Sequence, residues 1–173
     1  MKNRKIILII VVFIILALVA GIWYIKQQEE KPNNIKQSKI ETPLEITSLN
    51  LEELKNKKMP IILDFGSDSC VPCIEMQPVL EKINLDYQNK ALIHFIDVWK
   101  YPSLAQDLPI QLIPTQIFIN SDGTPYNPSE EILNTIPGFQ IYVDQDTNEY
   151  VYTTHQGGLT EKQMIKILTQ MGV

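Results

Sequence analysis

Hydrophobic and polar positions divide the chain into three stretches. From Ile6 to Ile25 no residue is charged, and only Trp23 and Tyr24 bring any polarity. Residues 26 to 43 are polar, rich in Lys, Gln, Asn and Glu, broken by Pro32 and Pro43, and show no apolar period. From residue 44 onward, apolar runs alternate with stretches of helical period. Glu45 to Leu49 predicts a short strand, and Leu51 to Lys57 a short helix opened by Asn50. Pro60 to Phe65 is apolar without alternation, the pattern of a central strand buried on both faces. Residues 70 to 87 predict a helix, with Ile74, Val79, Leu80, Ile83 and Tyr87 apolar at three-to-four spacing. Ala91 to Val98 predicts a third strand and Ser103 to Leu108 a short helix. Thr115 to Asn120 predicts a strand ended by the turn Ser121-Asp122-Gly123. Tyr150 to His155, rich in Tyr, Val and Thr, predicts the last strand. Thr160 to Met171 predicts the last helix, with Thr160-Glu161-Lys162-Gln163 as its capping box.

Strands alternating with helices and closing on a strand-helix end imply an α/β domain, a mixed central sheet sandwiched by helices. The roughly 130 residues after the polar stretch suffice for one core and one domain. The organisation read from the pattern is therefore an anchor over residues 1–25, a flexible tether over 26–43 and a folded domain over 44–173.

Twenty apolar residues rise about 30 Å as a helix, the thickness of a bilayer's hydrocarbon core. A cleaved signal peptide competes with an uncleaved anchor, since both follow a basic start such as Lys2, Arg4 and Lys5. The anchor is favoured because the apolar run continues through Ile25, and Leu18-Val19-Ala20 makes a poor cleavage site. Trp23 and Tyr24 suit a membrane interface. The basic flank stays cytoplasmic by the positive-inside rule, which sends the domain outward, although Lys26, Lys31, Lys36 and Lys39 dilute the signal. Net charge is −5, and residues 1 to 26 hold four basic side chains and no acid, so the remainder carries −9. A domain that acidic argues against binding nucleic acid.

The chemistry concentrates at two residues. Cys70 and Cys73, the only cysteines, lie in Ser69-Cys70-Val71-Pro72-Cys73 directly after the buried strand. Two thiols at this spacing, at a strand-to-helix junction, form a dithiol able to cycle with a disulfide. Cys70 falls at the helix N-terminus, where unpaired N–H groups and the helix dipole favour a thiolate, so it is the expected nucleophile. Cys73, one turn on, is the expected resolving thiol. Pro72 is tolerated in a first helical turn. An inert buried pair and a zinc site are the competing readings. Zinc is the weaker, because His94 and His155 lack the paired spacing of a structural site. No metal and no cofactor are expected.

These elements and motifs resemble the thioredoxin superfamily over roughly residues 45 to 171, apart from an insertion at about 124–149. Asp64, six residues before Cys70, matches the family's buried acid, and the resemblance implies proton transfer at the resolving thiol. Pro78 matches the proline of the active-site helix. Ile113-Pro114-Thr115 matches the cis-proline loop beside the dithiol, which implies that Ile113 and a cis Pro114, with Val71 and Pro72, contact substrate. Gly157-Gly158 matches the terminal glycine turn. Two departures stand out. Ser69 replaces the usual tryptophan, so the approach Gly66-Ser67-Asp68-Ser69 predicts a more open, less apolar rim. Ile93 stands where many thioredoxins carry a lysine near the buried acid. His94 points to the opposite face by strand alternation, which gives it a structural or surface role.

Within the insertion, Asn127 to Glu131 predicts a helix start. Phe139 to Val143 and the turn Asp144 to Asn148 predict one added strand. The dithiol and the resemblance, with the N-terminal run and its basic flank, give the expectation of a membrane-tethered, outward-facing thiol-disulfide oxidoreductase. The Val-Pro spacer is similar to that of anchored reductases outside the cytoplasm, including those serving cytochrome c maturation. Its substrates would be oxidised exported proteins such as apocytochrome c, and its electron donor an integral-membrane conduit of the CcdA or DsbD type. A disulfide-forming oxidase and a non-catalytic binding module on the same scaffold remain alternatives.

Overall fold

A computed structural model describes residues 42–173. The anchor and the tether up to residue 41 lie outside the described residues. Among the described residues no helix is long and apolar enough to cross a membrane.

The elements run α1 (Leu51–Asn56), β1 (Ile61–Gly66), α2 (Val71–Asp86), β2 (Leu92–Asp97), a 3-10 turn (Pro102–Leu104), β3 (Thr115–Ile119), α3 (Glu130–Thr135), β4 (Phe139–Val143), β5 (Tyr150–Gln156) and α4 (Glu161–Gln170). Five strands form one sheet in the order β2-β1-β3-β5-β4. β1 and β2 are parallel, and the other pairings are antiparallel. The continuous apolar run of β1 takes the expected interior position, and all six of its residues are buried. Side chains alternate between faces along each strand. Ile62, Ile93 and Phe118 pack under α2 and α4 with Met76, Leu80, Ile83, Met164, Ile167 and Leu168. Ile61, Leu63, Phe65, Ile96 and Ile117 pack on the other face, against Leu51 and Leu54 of α1 and Leu104 beyond β2.

Helix boundaries follow side-chain chemistry. Asn50 caps α1 by accepting from Glu53 N, Ser129 caps α3 by accepting from Ile132 N, and Thr160 and Gln163 form the expected capping box of α4. Residues 124–149 supply α3 and β4, and β4 lies at the sheet edge, paired with β5.

Four expectations change. Glu45 to Leu49 does not form a strand: Ile46 N donates to Phe95 O and Leu44 O accepts from Phe95 N, a single bridge before the chain turns away. Ser103 to Leu108 forms only the 3-10 turn, in which Pro102 occupies the first position. The buried face of α2 is Cys73, Met76, Leu80, Ile83 and Asn84, while Ile74 is exposed. Thr42 and Pro43 do not hang free. Thr42 is buried, its N and Oγ1 donate to Gln88 Oε1 at 3.1 and 2.8 Å, and its carbonyl accepts from Asn84 Nδ2 at 3.3 Å.

A candidate dithiol site and the polar row beneath it

β1 delivers the chain to the site, and α2 begins there. Cys70 is the N-cap of α2, with Val71 and Pro72 in the first turn, and Cys70 O accepts from Ile74 N at 2.9 Å. Cys70 and Cys73 are joined as a disulfide with their Cα atoms 5.2 Å apart. The two sulfurs are not equivalent. Cys70 is partly exposed, whereas Cys73 is 4% exposed on the buried side of the helix. A Cβ placed on Gly66 would lie 3.3 Å from Cys73 Sγ and 2.8 Å from the Phe95 ring, so glycine at this strand end leaves the resolving sulfur its room. Pro78 sits inside α2 as expected, where its missing N–H interrupts the helical ladder.

The approach loop is fixed by an aspartate that sequence reading passed over. Asp97, fully buried at the end of β2, accepts from Trp99 N at 2.9 Å, Lys100 N at 3.0 Å and Asp68 N at 3.2 Å. Burial pulls its carboxyl upward, but these N–H groups and Lys100 outweigh that and hold it below the usual range. Lys100 also pairs with Asp68 at 2.8 Å. Ser67 is buried, its Oγ accepting from Ser69 N and its carbonyl from Cys70 N, each at 3.2 Å. Beside this loop a cavity of about 300 Å³ reaches Cys73 between Ser67, Asp68, Gln77, Phe95 and Lys100. The rim is thus open and polar on the approach side. It is apolar elsewhere, with Val71 66% and Leu112 46% exposed on the segments that carry Cys70 and Pro114.

The loop before β3 closes the other side. The Ile113-Pro114 bond is cis, and Ile113 O lies 3.9 Å from Cys70 Sγ. Thr115 Oγ1 donates to Leu112 O at 2.7 Å, and Pro114 O accepts from Gly157 N at 2.8 Å. Gly157 has φ +105°, which a side chain would strain. The residues singled out from the sequence, Cys70, Val71, Pro72, Cys73, Ile113 and Pro114, therefore meet at one end of the sheet.

Asp64 belongs to a row below them. Asp64 and Gly66 point to the same face by strand period, and Cys73 packs against Gly66. Asp64 Oδ1 accepts from Gln116 Nε2 at 2.7 Å, and Oδ2 has no hydrogen-bond partner. Burial pushes its carboxyl up to about 7, with the Gln116 N–H offsetting part of the rise. Ile93 is fully buried in the apolar cluster, so the strand position read as lacking a cation does lack one. Gln116 and His155 were missed as site residues. Gln116 Nε2 also donates to Gly157 O at 3.1 Å, and its Oε1 meets His155 Nδ1 at 2.8 Å. Register explains the row: Phe95, Asp64, Gln116, His155 and Phe139 are consecutive partners across all five strands. His94 lies on the opposite face, as expected, and is buried, with Nδ1 2.9 Å from Pro43 O.

A family model described as thioredoxin matches residues 43–132. The chain belongs to the thioredoxin family. Thioredoxin from Buchnera aphidicola subsp. Acyrthosiphon pisum (strain APS) is 33% identical over 79 residues, covering 45% of this chain and 73% of that protein. The chloroplastic thioredoxin-like protein CITRX of Oryza sativa subsp. indica is 34% identical over 79 residues, 44% of this chain and 42% of that one. The alignment thus spans less than half of the rice relative. A crystal structure of chloroplastic thioredoxin z matches with a TM-score of 0.52 at 21% identity, over 75% of this chain and 94% of that chain, which supports the fold. Thioredoxins are generally disulfide oxidoreductases, and this chain carries the close Cys70–Cys73 pair on a thioredoxin fold. No group of three or more His, Cys, Asp or Glu suited to a metal occurs among the described residues.

Proposed function

We propose that this protein is a membrane-tethered, outward-facing thiol-disulfide oxidoreductase that reduces disulfides in exported proteins. The observation that carries the redox reading is the asymmetry of the pair. Cys70 lies partly exposed at the α2 N-cap beside Ile113 O, while Cys73 is buried one turn on. In the reduced protein the Cys70 thiolate attacks one substrate sulfur, the substrate S–S bond breaks, and the other substrate sulfur leaves as a thiolate. Cys73, after losing its proton, attacks Cys70 Sγ and releases the second substrate thiolate. The substrate has gained two electrons, and the protein holds the Cys70–Cys73 disulfide.

Location rests on the uncharged run Ile6 to Ile25 behind Lys2, Arg4 and Lys5. Direction rests on the Val71-Pro72 spacer, similar to that of anchored extracytoplasmic reductases. An outward-facing reductase requires electrons from across the membrane, which favours a conduit of the CcdA or DsbD type as donor. Apocytochrome c is one candidate substrate.

The test is the equilibrium reduction potential of Cys70–Cys73 against glutathione and dithiothreitol, together with mixed-disulfide trapping by Cys73→Ala in the cell envelope. A potential at or below about −230 mV, with exported proteins trapped on Cys70, is expected. A potential near −120 mV would make the protein an oxidase, and the absence of trapped adducts would remove the catalytic reading.

A further inference from the structure

His155 is buried, and both of its ring nitrogens face acceptors. Gln116 Nε2 has committed its hydrogens to Asp64 Oδ1 and Gly157 O, so its Oε1 can only accept from His155 Nδ1. His155 Nε2 lies 2.9 Å from the carbonyl oxygen of Pro137, which also only accepts. A neutral ring has one N–H and leaves a lone pair against one of these oxygens, whereas the doubly protonated ring satisfies both. Turning the Gln116 amide over does not relieve the mismatch, because it would set Oε1 against Gly157 O. Gly138 makes the close approach of Pro137 possible: a Cβ there would lie 2.6 Å from Gln156 O and 3.0 Å from His155 Nε2.

Asp64 supplies the opposite charge. We propose that His155, held by Gln116, is the positioning residue whose imidazolium keeps Asp64 ionised as the base for the Cys73 thiol. This rests on the reading that Cys73 resolves a mixed disulfide. Asp64 is flanked in register by Phe95 of β2 and Gln116 of β3; Gln116 Nε2 also reaches Met76 Sδ of α2 at 3.5 Å, and Cys73 of α2 lies against Gly66, two residues along β1. The groups facing His155 are Gln116, Phe139 from β4, and the Pro137 and Gly157 carbonyls. Among the described residues no lysine, arginine or second carboxylate acts on either group. Burial drives Asp64 toward its acid form and His155 toward its neutral form, while the Gln116 N–H opposes the first and the Pro137 and Gly157 carbonyls oppose the second. To these the proposed pair adds the attraction of two opposite charges across the Gln116 amide. In the step itself the Cys73 S–H proton passes to the Asp64 carboxylate. The Cys73 thiolate then attacks Cys70 Sγ, the bond from Cys70 to the substrate sulfur breaks, and that sulfur leaves with the electron pair.

The test uses the reduced full-length chain in detergent, mixed with an aromatic disulfide that releases thionitrobenzoate. Attack by Cys70 gives a concentration-dependent phase, and attack by Cys73 gives a second, concentration-independent phase, followed from about pH 5 to about pH 9. His155→Gln is expected to slow the second phase about tenfold near pH 6, as for an Asp64 pKa raised by one unit, and to leave the rate near pH 9 unchanged. Gln116→Leu is expected to act in the same direction. A readout that needs no active variant is the ¹⁵N spectrum of the His155 ring, expected as imidazolium near neutral pH in wild type and as neutral imidazole in Asp64→Asn. Superimposable pH profiles for wild type and His155→Gln, or a neutral wild-type ring, would overturn the proposal. Loss of the second phase from wild type at every pH would instead overturn the dithiol reading beneath it.

Discussion

Two cross-strand rows on one face of the sheet differ in a way that locates the chemistry. Ile93, Ile62 and Phe118 are partners across β2, β1 and β3, fully buried and apolar. Two residues along the same strands, toward the dithiol, the row becomes Phe95, Asp64, Gln116, and β5 and β4 extend it with His155 and Phe139. Both rows lie beneath α2. The first stabilises by excluding water, at roughly 25 cal/mol per Å² of apolar surface. The second buries a carboxylate, an amide and an imidazole, an arrangement that stabilises little and stands only because nearly every polar atom in it has a partner. Of these two rows the polar one is the one beside Cys73, where the proposed reaction moves a proton. The neighbouring row supplies the rigidity.

The contrast is open to direct attack. Phe118→Ala empties the apolar row and should destabilise the domain by about 3–5 kcal/mol, equally at pH 5 and pH 8, in urea denaturation. A loss that varied with pH would mean that the two rows are not separable.

Asp64→Asn should act oppositely. Burial pushes the folded carboxyl up to about 7 from an ordinary value of 3.8, so the folded state holds its proton more tightly than the unfolded chain. That contribution is complete below the unfolded value and is lost as pH rises through the folded one. Asparagine carries no charge to bury, so the variant should match wild type near pH 4 and exceed it by on the order of 2–4 kcal/mol at pH 8. The same variant should resolve mixed disulfides more slowly. A stability difference independent of pH would refute the assignment of the buried charge.

The smallest effect belongs to Ile62→Val, which removes one methylene from the apolar row. It should cost about 0.5–1.5 kcal/mol and leave the pH profile of disulfide resolution unaltered, as measured by denaturation and stopped flow.

Legibility in the sequence followed the same division. The dithiol, the helix behind it and the buried strand before it are local patterns, and Cys70, Cys73, Pro78 and the Ile113-Pro114 loop fall where spacing and resemblance put them. Gln116 was unreadable because Thr115 to Asn120 scans as one apolar strand, and nothing local marks its amide as an Asp64 partner. His155 stands at the end of a strand whose first residues are exposed. Its burial comes from Gln116 on one side and from Phe139 of the insertion on the other, contacts 39 residues and one edge strand away. Asp97 falls inside the expected strand Ala91 to Val98, and nothing local marks it as the acceptor for the N–H groups of Trp99, Lys100 and Asp68. The misplaced elements have local causes too. Glu45 to Leu49 has strand composition but only one bridge to Phe95, and Ile74 keeps helical spacing while Cys73 and Met76 take the buried face.

The fastening of Thr42 to Asn84 and Gln88 gives the molecule a lever arm. Thr42 is bonded at the far end of the helix that Cys70 caps, and sixteen residues of α2 span about 24 Å between them. The first described residue of the chain is thus fastened at one end of α2 and the reactive sulfur sits at the other, so entry to the domain and its disulfide lie a full helix length apart.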